Sequence, residues 1–319
     1  MPKGKKKDVG PKTIRRRVFF YRVNAGIHPD TGEPKKVNFA NALSQLGAMP
    51  FSEADDGRYL ATNDDKQLCC WVDNLASPVR LRLVAIRRNQ HPPIENAGAF
   101  TALVLPAGCG LADITHLVLF PDGICGAEFN FYGPRASALS YYSAIKLKSW
   151  CPPFRLNPLV RPDLAAKLAA MQDIKVLNLK VRASYASVLE QTNSDLGSAF
   201  RATINAVSAR EQDELELVFV RKRGKKLTPR SVPSALMEGI RKLAKRPDLR
   251  EQASIFKITG ADSAGSRPLD ILSEQFTAEQ TVMPAQGSMG GVDSESMFSA
   301  IEAAYSDVQA QLAAASELE

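Results

Sequence analysis

The sequence predicts an α+β protein, with an antiparallel, β-rich N-terminal half followed by an α/β C-terminal half. Three observations predict it. Between Arg58 and Tyr132, short apolar and aromatic runs are separated by turn residues. Within that stretch, ITHLVLF and ICGAEFNFY flank Pro121-Asp122-Gly123, a strong hairpin signature. Beyond residue 155, helical periodicity alternates with strand-like runs, as in layered helix-and-sheet domains.

The elements follow in order. Residues 1–14 hold Lys, Gly, Pro and Asp with almost nothing apolar, and such a segment cannot offset its ordering entropy. A disordered basic tail over 1–14 is expected, then a β-rich domain over 15–150. RRRVFFYRV opens it as a strand, NAGIHPDTGEPKK is a loop, and Phe39, Leu43 and Leu46 with Gly47 behind them mark a short helix. GRYLAT, KQLCCWVD, VRLRLVAIRR and FTALVLP read as strands. In the third, Val79, Leu81, Leu83 and Ala85 alternate with Arg80, Arg82 and Val84, which suits one buried and one wetter face. YGPRASALSYYSAIKLKSW is a helix that Cys151-Pro152-Pro153 stops. The second domain, 155–319, opens with the helix RPDLAAKLAAM and the strand IKVLNLKV. A single long helix is expected from Tyr185 to Val207, with Gly197 as its weak point. ELELVFVRK, SIFKITG and FTAEQTVM are strands, and a helix runs through Leu236, Ile240 and Leu243. An acidic amphipathic helix closes the chain, N-capped by Asp293 or Ser294, with Met297, Ile301, Tyr305, Val308 and Leu312 as its apolar stripe.

Charge is unevenly placed. The chain carries a net +7, and its first seventeen residues hold eight Lys/Arg against Asp8, so residues 18–319 sum to zero. Within that neutral body, 221–250 hold eleven Lys/Arg against two acids, and 293–319 hold six acids and no Lys or Arg. No apolar run approaches the roughly 20 residues that span a bilayer. The five cysteines are odd in number and form no C-x-x-C, which argues against a disulfide framework or a zinc site and for the cytoplasm.

The usual catalytic signatures are absent: no P-loop, no G-x-G-x-x-G, no H-E-x-x-H and no G-x-S-x-G. No metal or cofactor is expected. The hairpin holds the best catalytic candidate. A three-residue Pro-Asp-Gly loop sets Phe120 opposite Ile124 and therefore His116 opposite Glu128, with Arg135 just beyond the strand. Cross-strand neighbours on one face lie about 4.5–5.5 Å apart at Cβ. An imidazole, a carboxylate and a guanidinium together suit acid–base work on a phosphodiester; the alternative is a structural group in which Arg135 pairs Glu128. The nucleic-acid-binding candidates are Arg15, Arg16 and Arg17 of the tail, and Arg221, Lys222, Arg223, Lys225, Lys226, Arg230, Arg241 and Lys245 of the basic segment. Clustered charge of this kind serves phosphate contact without reading sequence. The terminal stripe of Met297, Ile301 and Tyr305 is either core or a partner-docking face.

The run from His116 to Tyr142, the LAAKL helix, RPLDIL and the closing VDSESMFSAIEAAY resemble a group of bacterial proteins similar in layout to accessory proteins of mobile elements and phage-defence islands. The resemblance spans roughly residues 15–310, rests on Tyr132-Gly133-Pro134-Arg135 and Asp270-Ile271-Leu272, and brings no catalytic residues with it. It implies a defence or mobile-element role. The expected function is a non-enzymatic, cytoplasmic bacterial protein that binds DNA or RNA, with a possible protein partner from the same operon and no membrane partner. The alternatives are a metal-independent nuclease or toxin using His116, Glu128 and Arg135, and a subunit that docks a partner through its last helix.

Overall fold

The computed structural model describes residues 13–26, 35–62, 66–89, 91–161, 163–171, 173–183, 186–192, 194–208, 213–220, 234–246, 249, 253–262, 265–286 and 291–316. The strands are β1 (Ile14–Asn24), β2 (Leu60–Ala61), β3 (Lys66–Asn74), β4 (Val79–Arg87), β5 (Ile94–Asn96), β6 (Ala99–Thr101), β7 (Leu111–Leu119), β8 (Ile124–Glu128), β9 (Arg155–Pro158), β10 (Asp173–Arg182), β11 (Glu214–Val220), β12 (Ala253–Asp262), β13 (Gly265–Asp270) and β14 (Thr277–Val282). The helices are α1 (Phe39–Ala48), α2 (Ser137–Lys146), α3 (Asp163–Ala170), α4 (Ala186–Thr192), α5 (Ser194–Val207), α6 (Ser234–Lys245) and α7 (Ser294–Ser316). The fold is α+β. Contacts divide it into two compact units, Met1–Leu156 with Thr277–Ala310, and Asn157–Phe276 with Gln311–Glu319. The chain therefore returns to the first unit after the second, and β14 and most of α7 do not belong with the C-terminal half.

The first unit is built on an antiparallel sheet in the order β14-β1-β8-β7-β4-β3-β2. Its middle strands are apolar on both sides because both faces are covered. One face carries Leu81, Leu83, Leu117, Leu119, Cys125 and Ala127, packed with Leu43 and Leu46 of α1 and Leu139 and Tyr142 of α2. Tyr142 is fully buried, and its hydroxyl donates to the Arg58 carbonyl at 2.7 Å, which meets the need of a buried phenol for a partner.

α7 covers the other face. Met297 and Ile301 are fully buried and Tyr305 is 8% exposed, so of the two readings of the stripe the core reading holds, and these residues are not a surface offered to a partner. Tyr305 stacks on Phe120, with centroids 3.7 Å apart, and its hydroxyl donates to Asp122 Oδ2 at 2.6 Å. Asp122 Oδ1 meanwhile accepts from Ile124 N, so the turn aspartate shapes the hairpin and anchors the helix at once. Asp293, not Ser294, caps α7, its carboxylate accepting from Ser296 N at 2.8 Å.

In the second unit the sheet runs β11-β10-β12-β13, and every pairing in it is antiparallel. Alternation of helix and strand thus did not produce a parallel α/β sheet. Leu177, Leu179, Val181, Phe256 and Ile258 meet Leu168, Leu189, Phe200, Ile240 and Leu243 in one core. The expected long helix over 185–207 is two, α4 and α5. A Cβ at Gly197 of α5 would lie 2.2 Å from Glu190 Cα of α4, so the glycine marks where the two helices meet closely rather than a flaw in one. Of FTALVLP, only Phe100 and Thr101 are strand, as the last two residues of β6.

Two outcomes follow from the α7 contact. A Cβ at Gly126 would stand 2.5 Å from Ile301 Cγ2, so Gly126→Ala should destabilise the protein by about 1–3 kcal/mol in denaturant unfolding despite alanine's better strand propensity. Adding Ile301→Ala should return part of that loss. Burial and the Asp122 carboxylate push the Tyr305 phenol up to about 12, against 10 for an ordinary tyrosine. Between pH 10 and 12 the unfolded chain therefore releases a proton that the folded one keeps, and stability falls as pH rises. Tyr305→Phe should make that fall shallower than in the parent chain.

Candidate functional site

The hairpin fixes the centre of the site. Phe120 N donates to the Ile124 carbonyl and Gly123 N to the Phe120 carbonyl. Leu117 pairs with Ala127 and Leu119 with Cys125, the register that a three-residue loop requires. One step on, His116 meets Glu128 with Nδ1 and Oε2 2.7 Å apart. Both side chains are 2% exposed, so each must be satisfied by protein.

Their remaining partners come from the two ends of the chain. Arg16 of β1 donates its Nε to Glu128 Oε1 at 3.0 Å. Ser294, the first residue of α7, places Oγ 2.9 Å from His116 Nε2. A carboxylate can only accept, so Nδ1 donates to Glu128, and in the neutral ring Nε2 then receives the serine O–H. The result is one hydrogen-bonded line, Arg16–Glu128–His116–Ser294, across β1, β8, β7 and α7. The Phe298 ring stands edge-on to the imidazole at 5.2 Å, and Arg80 lies over Phe298 while pairing with Glu295 and Glu302.

A cleft of about 660 Å³ opens beside this line within the same unit. It exists because β8 ends at Glu128, while β1 and β7 on either side of it run further. Arg15, Arg16, Arg17, Asp113, Ile114, His116, Glu128 to Tyr132, Glu279, Gly291 and Val292 line it. Of its carboxylates, Asp113 pairs with Arg87, Glu128 with Arg16, and Glu279 lies opposite Arg17 on β14. Asn130 Nδ2 donates to the Ile114 carbonyl at 2.8 Å, satisfying the edge of β7 where β8 no longer does. Phe131 and Tyr132 are 72% and 73% exposed and meet edge to face at 5.2 Å.

No protein-family model matches the chain, and no curated protein matches it. The site is therefore read from its own geometry.

That geometry redistributes the candidates. His116 and Glu128 come together, but Arg135 does not join them. Its guanidinium lies over the Phe129 ring at 4.6 Å, and Arg16 takes the place beside Glu128. Arg16 is thus committed to a buried carboxylate, leaving Arg15 and Arg17 as the exposed basic residues of β1. Arg241 donates to the carbonyls of Leu168, Ala169 and Met171, closing the end of α3 instead of facing phosphate. Arg221, Lys222, Arg223, Lys225, Lys226 and Arg230 lie outside the described residues, as does the side chain of Lys245. Ser294 went unrecognised as a site residue, because its only local signal was that of a helix cap. Burial pushes the Cys69 thiol up to about 12 and the Cys151 thiol up to about 11, so neither supplies thiolate near neutral pH. Among the described residues no three His, Cys, Asp or Glu side chains are grouped to share a metal ion, and no helix is long and apolar enough to cross a membrane.

The two ends of the line differ in what they contribute to stability. Glu128→Ala strands a buried imidazole and a guanidinium, and should cost about 3–5 kcal/mol. Ser294→Ala removes one hydrogen bond from a half-buried residue and should cost about 0.5–1.5 kcal/mol. Equal costs in denaturant unfolding would contradict this ordering.

Proposed function

We propose that the chain binds single-stranded nucleic acid along the cleft beside β1. The observation that carries the reading is the pairing of exposed guanidinium groups with exposed rings at one opening. Arg15 and Arg17 line the cleft, and neither is ion-paired among the described residues. Phe131 and Tyr132 offer ring faces at the same opening. Arginines that follow a phosphate backbone, next to aromatic side chains on which bases stack, suit single strands and tolerate many sequences. The lysine-rich residues 3–12 precede β1 in the sequence and their charge would add long-range attraction.

The cell compartment that suits this reading is the cytoplasm. Four of the five cysteines are buried free thiols, in keeping with a reducing environment. A bacterial defence or mobile-element system is the setting that the resemblance implies for such a protein.

Fluorescence anisotropy with labelled single-stranded DNA and RNA across a salt series tests the reading. Each phosphate contact adds roughly 0.7 to the slope of log affinity against log salt for single strands. Arg15→Ala with Arg17→Ala should therefore flatten that slope by about 1.4, and Phe131→Ala with Tyr132→Ala should weaken binding with little change in slope. An affinity indifferent to salt would refute the proposal. So would a double arginine variant that binds like the parent while deletion of residues 2–12 abolishes binding, because the tail would then be the binding site.

A further inference from the structure

We propose that Ser294 is a nucleophile activated by His116, with Glu128 as the residue that positions the imidazole, and that the chain hydrolyses carboxylic esters or thioesters. The proposal does not depend on what the neighbouring cleft binds.

The geometry meets the requirements of such a group one by one. A serine hydroxyl is a weak nucleophile until an adjacent base takes its proton. Here the base nitrogen is 2.9 Å from Oγ, and the second ring nitrogen is held by a carboxylate at 2.7 Å. A buried carboxylate on Nδ1 keeps Nε2 free to accept, and stabilises the imidazolium once the proton has moved. Arg16 fastens that carboxylate from its other oxygen, so Glu128 cannot swing away from the ring. Phe298 walls the imidazole with an apolar edge. Of the three members Ser294 is the most exposed, half-buried where His116 and Glu128 are buried, as suits the one that reacts. The amides of Ser294 and Glu295 open α7, and neither has a backbone or side-chain acceptor among the described residues. Amides next to the attacking oxygen are where an oxyanion is stabilised in acyl transfer.

The step balances as follows. Ser294 Oγ bonds to the carbonyl carbon as its proton passes to His116 Nε2. The tetrahedral oxyanion collapses, the bond from carbon to the leaving oxygen or sulfur breaks, and His116 returns the proton to that leaving group. Water then attacks the acyl-serine with His116 again as base, releasing the carboxylic acid and restoring Ser294.

An alkyl fluorophosphonate tests this on the full chain without knowledge of the natural substrate. Oγ bonds to phosphorus, fluoride leaves, and the adduct is stable enough for peptide mapping by mass spectrometry. The expected result is one adduct, on Ser294, absent from Ser294→Ala. General-base assistance of this kind is worth about 10²–10⁴-fold, so His116→Gln should label at least about 100-fold more slowly. Ser306→Ala, an exposed serine further along α7, should label like the parent. The labelling rate of the parent should depend on pH and that of His116→Gln should not, a difference that a merely structural hydrogen bond would not create. Circular dichroism confirms that each variant is folded, and Ser294→Ala keeps the test decisive should His116→Gln unfold. No adduct on the folded parent, an adduct on another residue, or equal labelling of a folded His116→Gln would each overturn the proposal.

Discussion

Two ionisable side chains stand next to each other in the middle of a sheet covered on both faces, and the rest of the first unit is arranged around them. His116 and Glu128 are each only 2% exposed, so their partners must come mainly from the protein. The partners are Arg16 near the start of the chain and Ser294 near its end. A requirement of local polar chemistry thereby joins the first strand, the central hairpin and the last helix. An apolar pair at these positions would pack at least as well. What the polar version adds is a defined geometry, in which each group has one orientation open to it.

The same region shows how a strand that stops early produces a site. β8 is five residues long between strands of eleven and nine. Beyond its end the sheet edges on either side lack a middle neighbour, and the segment carrying Asn130, Phe131 and Tyr132 turns outward. Asn130 satisfies one carbonyl of β7, and the two rings are left in solvent. The cleft is thus a consequence of strand length, with the buried pair at its floor and the basic residues of β1 along its side.

Much of this was legible in the sequence where the determinants are local. Pro121-Asp122-Gly123 dictated the hairpin register, and the register alone placed His116 against Glu128. The inward row of Val79, Leu81, Leu83 and Ala85 in β4 and the helical stripe of α7 were equally readable, although Val84, expected on a wetter face, is buried as well. What could not be read was which distant residue answers a local need. Arg135, seven residues from Glu128, was the natural partner by sequence, yet the short strand end turns it onto Phe129, while Arg16 arrives from a neighbouring strand 112 positions away. Ser294 is 178 positions from His116 and looked like a cap. The stripe of Met297, Ile301 and Tyr305 has the same pattern whether it is core or docking face, and only the covering sheet decides. Arg241 carries charge suited to phosphate, but the open carbonyls at the end of α3 claim it. In each case a side chain's type was informative and its partner was a matter of tertiary structure.

The central claim is that His116 holds its proton on Nδ1 toward Glu128 and accepts at Nε2 from Ser294. Nitrogen-15 NMR of the imidazole reads this directly. The account predicts a protonated Nδ1 and an unprotonated Nε2, the Nδ1 proton shifted far downfield by the carboxylate. A proton found on Nε2 instead would contradict it, since the ring could then neither donate to Glu128 nor take a proton from Ser294.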